Sequence, residues 1–153
     1  MTQPVEALLA QWNEQRQQLR QSETQRATLT NYVLVLASAL TGLAVQQHLQ
    51  ARTLPLSALI LLIGLYGAVS AAKYHERAEY HVHQARAITR ALQDLGALPD
   101  IRDQLTEARE RHYSAYPRLH RIRLHSLWTG LNLAVAALGL CLLLVTLISS
   151  IAG

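Results

Sequence analysis

The sequence predicts an all-α integral membrane protein: three transmembrane helices, with a cytosolic antiparallel helical hairpin extending from the second and third spans. Three observations carry that prediction. Half of the 153 residues are hydrophobic and only 16% are charged, and the charges avoid three long apolar runs. Leu and Ala dominate while Phe is absent, a composition that favours helices over sheets. Basic residues gather on one side of the apolar runs, as in loops retained in the cytosol.

The N-terminal segment, residues 1–28, reads as a cytosolic helix. Val5, Leu8, Leu9, Trp12 and Leu19 fall on one side of a stretch otherwise rich in Gln and Arg. Such a helix either packs on other polar helices or lies at the headgroup layer. Its length before the first apolar run far exceeds the charged leader of a cleavable signal peptide, so no such leader is expected.

A two-span transmembrane hairpin follows over residues 29–72. The first candidate span, Leu29–Val45, holds no charge in 17 residues, and the second, Leu54–Ala72, runs 19 residues to Lys73. A hydrocarbon core about 30 Å thick needs roughly 20 helical residues. The second run meets this directly. The first is short, extended by Gln46 and Gln47 and anchored by Tyr32, with a re-entrant or interfacial helix as its alternative. Only QQHLQART joins the two, which forces a hairpin, with Thr53 as a cap and Pro55 in the first turn of the second helix.

The third span, Leu127–Ala152, is free of charge over 26 residues and makes 127–153 the last segment. Between the second and third spans, residues 73–126 carry one Lys and nine Arg. The N-terminal segment adds Arg16, Arg20 and Arg26, whereas the hairpin loop has only Arg52. The positive-inside bias therefore puts the N-terminus and 73–126 in the cytosol, and the hairpin loop and C-terminus outside. In that setting the net charge of +4 and the pI near 9.6 reflect retained Lys and Arg before they suggest nucleic acid.

Residues 73–126 read as a helical hairpin for sensing or oligomerisation. Tyr74, Ala78, His81, Ala85, Ile88, Leu92 and Leu95 make a heptad seam that continues the second span. Gly96 and Pro99 stop that arm. A second seam follows: Ile101, Leu105, Ala108, His112, Ala115, Leu119 and Ile122. Folding one arm on the other sets Leu92 near Leu105, Ala85 near His112 and His81 near Ala115. Pro117 kinks the second arm just before the membrane, which makes Lys73 and Pro117 candidate hinges for gating.

Catalysis has no support: no phosphate loop, nucleophile motif or carboxylate pair occurs. No cofactor is expected. The lone cysteine, Cys141, lies in an apolar run, so it offers neither a disulfide nor a metal site. His81 and His83 point about 200° apart on a helix, and His120 and His125 are five residues apart, so no metal pair is expected either.

The arginines admit two readings. One is attraction to anionic lipid, at about 1 kcal/mol per charge near the surface. The other is an anion-binding face of Arg102, Arg109, Arg111, Arg118 and Arg121 that takes a nucleotide or oligonucleotide, with Tyr113 to stack on bases. Inside the spans, Gly64, Ala68 and Ala71 in the second and Gly130, Ala134, Ala137 and Cys141 in the third form rows for close packing. Asn31, Ser38 and Thr41 form a weakly polar stripe that either packs likewise or lines a pore.

The layout of a short polar helix, a two-span hairpin with an eight-residue loop and a long helix carrying KYHERAEYHVHQAR (Lys73–Arg86) resembles the SLATT-type effectors of bacterial defence systems. The likeness covers roughly residues 5–115; the third span goes beyond the minimal two-span pattern. The resemblance implies a homo-oligomer, tetrameric or larger, in the bacterial inner membrane. It implies permeabilisation of that membrane during abortive infection, when a nucleotide signal arrives from an operon-encoded nucleotidyltransferase. The competing reading is a non-conducting scaffold or regulatory subunit that docks a cytosolic protein.

Overall fold

The computed structural model describes residues 3–152, which contain four α-helices, two short 3-10 turns and no strand. The helices are α1 (Gln3–Gln46), α2 (Leu54–Asp94), α3 (Arg102–Ala115) and α4 (Leu124–Ala152). Three stretches are long and apolar enough to cross a membrane; they lie in α1, in α2 and in α4. Only 22%, 33% and 28% of their most apolar windows are buried within the chain. Most of that apolar surface therefore points outward, which suits lipid or further copies of the chain and is costly in water.

At 1.5 Å per residue, α1 and α2 are each about 60 Å long, about twice a hydrocarbon core. Each holds a polar half and an apolar half without a break. Lys73, an expected hinge, sits inside uninterrupted helix. The chain divides into two compact units: one made from the stretch through Glu23 with Glu76–Leu124, the other from Thr24–His75 with the stretch from His125 onward.

In the first unit, the seam expected on the α2 arm is present, but its partner is not the one expected. Ala78, His81, Ala85, Ile88 and Leu92 are buried, whereas the expected last member, Leu95, lies just past the end of α2 and is exposed. The side chains that meet them come from α1: Trp12 Nε1 donates to Thr89 Oγ1 at 3.1 Å, and His81 Nδ1 bonds Gln15 Oε1 at 2.7 Å. His81 thus faces Gln15 rather than Ala115. The polar half of α1 carries Val5, Leu8, Trp12, Gln15, Leu19 and Ser22 on its covered face, spaced three and four residues apart. That is a heptad seam with two polar members.

The second arm buries nothing. Every residue from 101 to 124 is exposed, Leu105 at 60%. The expected contacts of Leu105 with Leu92 and of His112 with Ala85 are therefore corrected, because heptad spacing makes a face but does not choose its partner. Nor is the arm one bent helix. It stops at Tyr116 (φ −128°, ψ 61°), and residues 116–123 hold only the 3-10 turn Leu119–Arg121. Pro117 explains this: it lacks an N–H and pushes the preceding residue out of the helical region.

The ends of α2 and α1 close alike. After α2, Ala97 N–H donates to Leu92 C=O (2.9 Å) and Gly96 N–H to Gln93 C=O (2.8 Å), with Gly96 at φ +69°. This is the six-to-one and five-to-two bonding of a Schellman cap. After α1 the same pair runs from Leu49 to Ala44 and from His48 to Val45, with His48 and Leu49 both left-handed. The Thr53 hydroxyl donates back to Gln50 C=O at 2.8 Å, bracing this loop instead of capping α2.

The second unit is a three-helix packing of α1, α2 and α4 around Val33, Ala37, Ile60 and Val135. α2 and α4 come so close that a Cβ on Gly64 would strike the Ala136 backbone, and one on Gly139 would strike the Leu61 backbone. Ala68 and Ala71 are buried, as the α2 row requires. The α4 row is different from the one expected. Asn132, Val135, Ala136 and Gly139 face inward, while Gly130, Ala134, Ala137 and Cys141 face outward.

Candidate functional site

α3 forms from local chemistry rather than from burial. Asp100 accepts the Arg102 backbone N–H at 3.1 Å, which ties down a free amide at the helix start. Asp103 sits in the first turn and His112 in the last, in keeping with the helix dipole. Glu107 and Arg111 pair at 2.7 Å one turn apart.

The expected ligand residues do not share one face. Arg102, Arg109 and Tyr113 lie within about 40° of each other around the α3 axis, whereas Arg111 points to the opposite side. Arg118 and Arg121 lie beyond the helix, at either end of the turn around Leu119. Two of the five arginines are engaged. Arg102 donates to Asp100 from Nε (2.9 Å) and Nη2 (2.6 Å), and Arg111 is held by Glu107. The Arg102 hydrogen bonds hold the Asp100 carboxyl down at about 2, and Asp100 in turn raises Arg102. Among the described residues, Arg109, Arg118 and Arg121 enter no ion pair.

Pro117 folds the chain so that four rings gather. Tyr113 stacks on His120 (centroids 4.9 Å, 23°), and Tyr116 lies 5.0 Å from His112. His120 Nδ1 also bonds Tyr116 C=O at 3.0 Å. Beside them is an open cavity of about 310 Å³ lined by His112, Tyr116, Leu119 and His120. One Tyr113 face is thus already occupied by His120. The arrangement offers cationic donors, aromatic faces and no acidic residue from Arg111 to Leu124, which suits an anion.

The stripe in the first span splits. Asn31 and Ser38 are exposed on one outward face of α1, seven residues apart. Thr41 is turned inward, its hydroxyl sealed off and without a hydrogen-bond partner. It does not face outward with the other two.

Several polar contacts inside the second unit were not anticipated. Asn132 and Thr30 are both fully buried, and Asn132 Nδ2 donates to Thr30 Oγ1 (3.1 Å) and to Trp128 C=O (2.9 Å). Asn132 Oδ1 has no partner and lies against Gly67, where a Cβ has no room. Arg26 is 6% exposed, its guanidinium 5.7 Å from the centre of the Trp128 ring and its Nε without an acceptor. His75 and His125 stack at 3.8 Å with nearly parallel rings. The readable signal for Arg26 was its spacing: 22, 26, 30, 33 and 37 mark one face of α1. Among the described residues, no three His, Cys, Asp or Glu side chains come together as a metal site would require.

No protein-family model, curated protein or solved structure matches the chain.

Proposed function

We propose that the chain is a homo-oligomeric membrane pore, an effector of a bacterial anti-phage, abortive-infection system, gated by a nucleotide or oligonucleotide on its cytosolic helices. One observation carries the sensing half of this reading. Residues 101–124 are exposed throughout, lack an acidic residue after Glu110, and lead directly into α4. A polyanion that drew Arg109, Arg118 and Arg121 together would order this segment at the foot of an apolar helix. The defence setting rests on the resemblance to SLATT-type effectors alone.

The pore half needs several copies. The interior of the second unit is filled by Val33, Ala37, Ile60 and Val135, so a path within one chain is closed. Asn31 and Ser38, which point outward, would line a path between copies around a common axis. Purified chain in liposomes is the test. Conductance that rises with added oligonucleotide supports the proposal, as does its loss on reversing charge at Arg109, Arg111 and Arg118. Tight ligand binding without conductance would sink the pore.

A second reading is favoured by the exposed apolar side chains of the same segment. Leu105, Leu119 and Ile122 are each more than half exposed, a surface suited to a protein partner. In that reading the chain is a non-conducting scaffold or regulatory subunit. Replacing these three residues by Ser would then abolish partner capture while the arginine reversals leave it intact.

A further inference from the structure

The second unit holds a buried cation for which its own sequence supplies no anion. Neither Thr24–His75 nor the stretch from His125 onward contains an Asp or a Glu. Arg26 is nonetheless 94% covered. Among the described residues it enters no ion pair, and the carboxylate nearest in sequence, Glu23, is exposed. Trp128 supplies a π face at 5.7 Å, which attracts a guanidinium but neutralises nothing. A desolvated charge without a partner is costly enough that proteins pair it or bind something to it.

The guanidinium is not sealed on every side. Nε is closed off without an acceptor; the two terminal nitrogens are neither sealed nor bonded, so they form the accessible end of the fork. That fork matches two oxygens of a phosphate or carboxylate. Position selects the phosphate. Arg26 lies three residues before Leu29, where the apolar run of α1 begins, and Trp128 opens the apolar run of α4. In a bilayer crossed by these two runs, both would stand at the depth at which lipid phosphates lie and at which Trp residues collect.

We infer that Arg26, set against Trp128, is a binding site for a phosphate oxyanion, with an anionic phospholipid of the adjoining leaflet as the expected source. The site is independent of the arginines on α3 and of whether the chain conducts.

Thermal unfolding of the full chain in phosphate-free maltoside micelles tests it, with native mass spectrometry to count retained lipid. Added phosphatidylglycerol is expected to raise the wild-type midpoint by several degrees and to remain bound as an adduct. Arg26→Gln is expected to lose both responses and to unfold at a higher midpoint than wild type in the lipid-free micelle, because the unpaired charge is gone. Arg26→Lys keeps the charge without the fork and is expected to lose about half of the lipid-induced shift; it carries the test should the Gln variant not fold. Arg52→Gln, on the exposed hairpin loop, is expected to respond as wild type does. Inorganic phosphate forms a second arm: no response assigns the phosphate to lipid, whereas an Arg26-dependent response assigns it to a soluble phosphate. A lipid response that survives in Arg26→Gln, or no response of the wild type in either arm, overturns the proposal.

Discussion

The α2–α4 contact of the second unit and the α3 segment of the first represent opposite ways of holding a helix. Where α2 meets α4, Gly64 lies against the Ala136 backbone and Gly139 against the Leu61 backbone. Contact there depends on what the side chains lack, and dispersion over many close atoms replaces a hydrophobic drive that lipid would not supply. α3 has no such neighbour. It persists through Asp100, which holds its first amide and pairs with Arg102, through the Glu107–Arg111 pair and its own propensity, in a length at which an isolated helix is marginal. One helix is fixed by its surroundings and the other is free to be fixed by something else. An element that must respond to a ligand belongs to the second kind.

The largest expected effect is the loss of the close contact. Gly139→Leu places a side chain where the Leu61 backbone stands. Overpacking a tight site costs about 1–3 kcal/mol or more, and here neither backbone can yield without parting the helices. Yield of monodisperse protein in detergent is expected to collapse, and Gly64→Leu to do the same. Gly42→Leu, whose added Cβ meets nothing within the chain, is the control. Equal yields from Gly139→Leu and Gly42→Leu would mean that the close contact does not hold the unit together.

Trp12→Ala comes next. It removes a part-buried indole together with its bond to Thr89. Truncating a core Trp costs about 3–5 kcal/mol, and partial exposure brings the expectation to about 2 kcal/mol. Leu105→Ala on α3 is expected within about 0.5 kcal/mol of wild type, as for surface positions. Urea unfolding of the two variants measures the contrast directly. If the two cost the same, the α2 arm is covered by α3 after all.

That contrast marks what could be read in the chain beforehand. The helical class and the three apolar runs are visible because composition and charge segregation act over tens of residues. The α2 seam is visible too, from Tyr74 to Leu92. Its partner is not, because two other segments carry heptad spacing, and the better-looking one, Ile101–Ile122, is the one left uncovered. The true partner contains Gln15 and Ser22, polar residues that satisfy themselves by hydrogen bonds and disguise the face. Arg26 is hidden for the same reason: a charged residue beside an apolar run reads as a flank, and only its spacing from Ser22 and Thr30 places it inside. In α4, Gly130 and Ala134 mimic a packing row as well as Ala136 and Gly139 do, and spacing alone does not separate the two faces.

Asn132 offers a third test, of middle size. Asn132→Leu removes the bond to Thr30 and also relieves the unpartnered Oδ1. Interhelical side-chain bonds among apolar helices are worth about 0.6 kcal/mol on average, up to about 1.7. Leu is also broader at its branch, which Gly67 tolerates poorly. A net loss of about 1 kcal/mol in reversible unfolding is expected, with Thr30→Val losing less. A double variant that costs the sum of the two would show that the Asn132–Thr30 bond couples nothing.

The smallest effect belongs to α3 and concerns pH. Asp100 titrates at about 2 in the folded chain instead of 3.8, chiefly because the Arg102 side chain donates to it and then because the Arg102 backbone N–H does. A depressed carboxyl favours the folded helix start above its unfolded value, and that contribution disappears as pH falls from about 4 to about 2. Both groups are exposed, so salt screens the pair and the change should stay local. Amide exchange at the first turn of α3 is therefore expected to gain, relative to the intrinsic acid rate, as pH drops through this window. The covered turn around Ala85 should not follow. Arg102→Gln should return the Asp100 titration, followed by carboxyl NMR, towards 3.8 and remove the difference between the two turns. If the Asp100 titration stays near 2 in that variant, the cap rests on the backbone N–H of residue 102 alone. α3 would then keep its start without any charged partner and be less open to capture by an anion than its exposed arginines suggest.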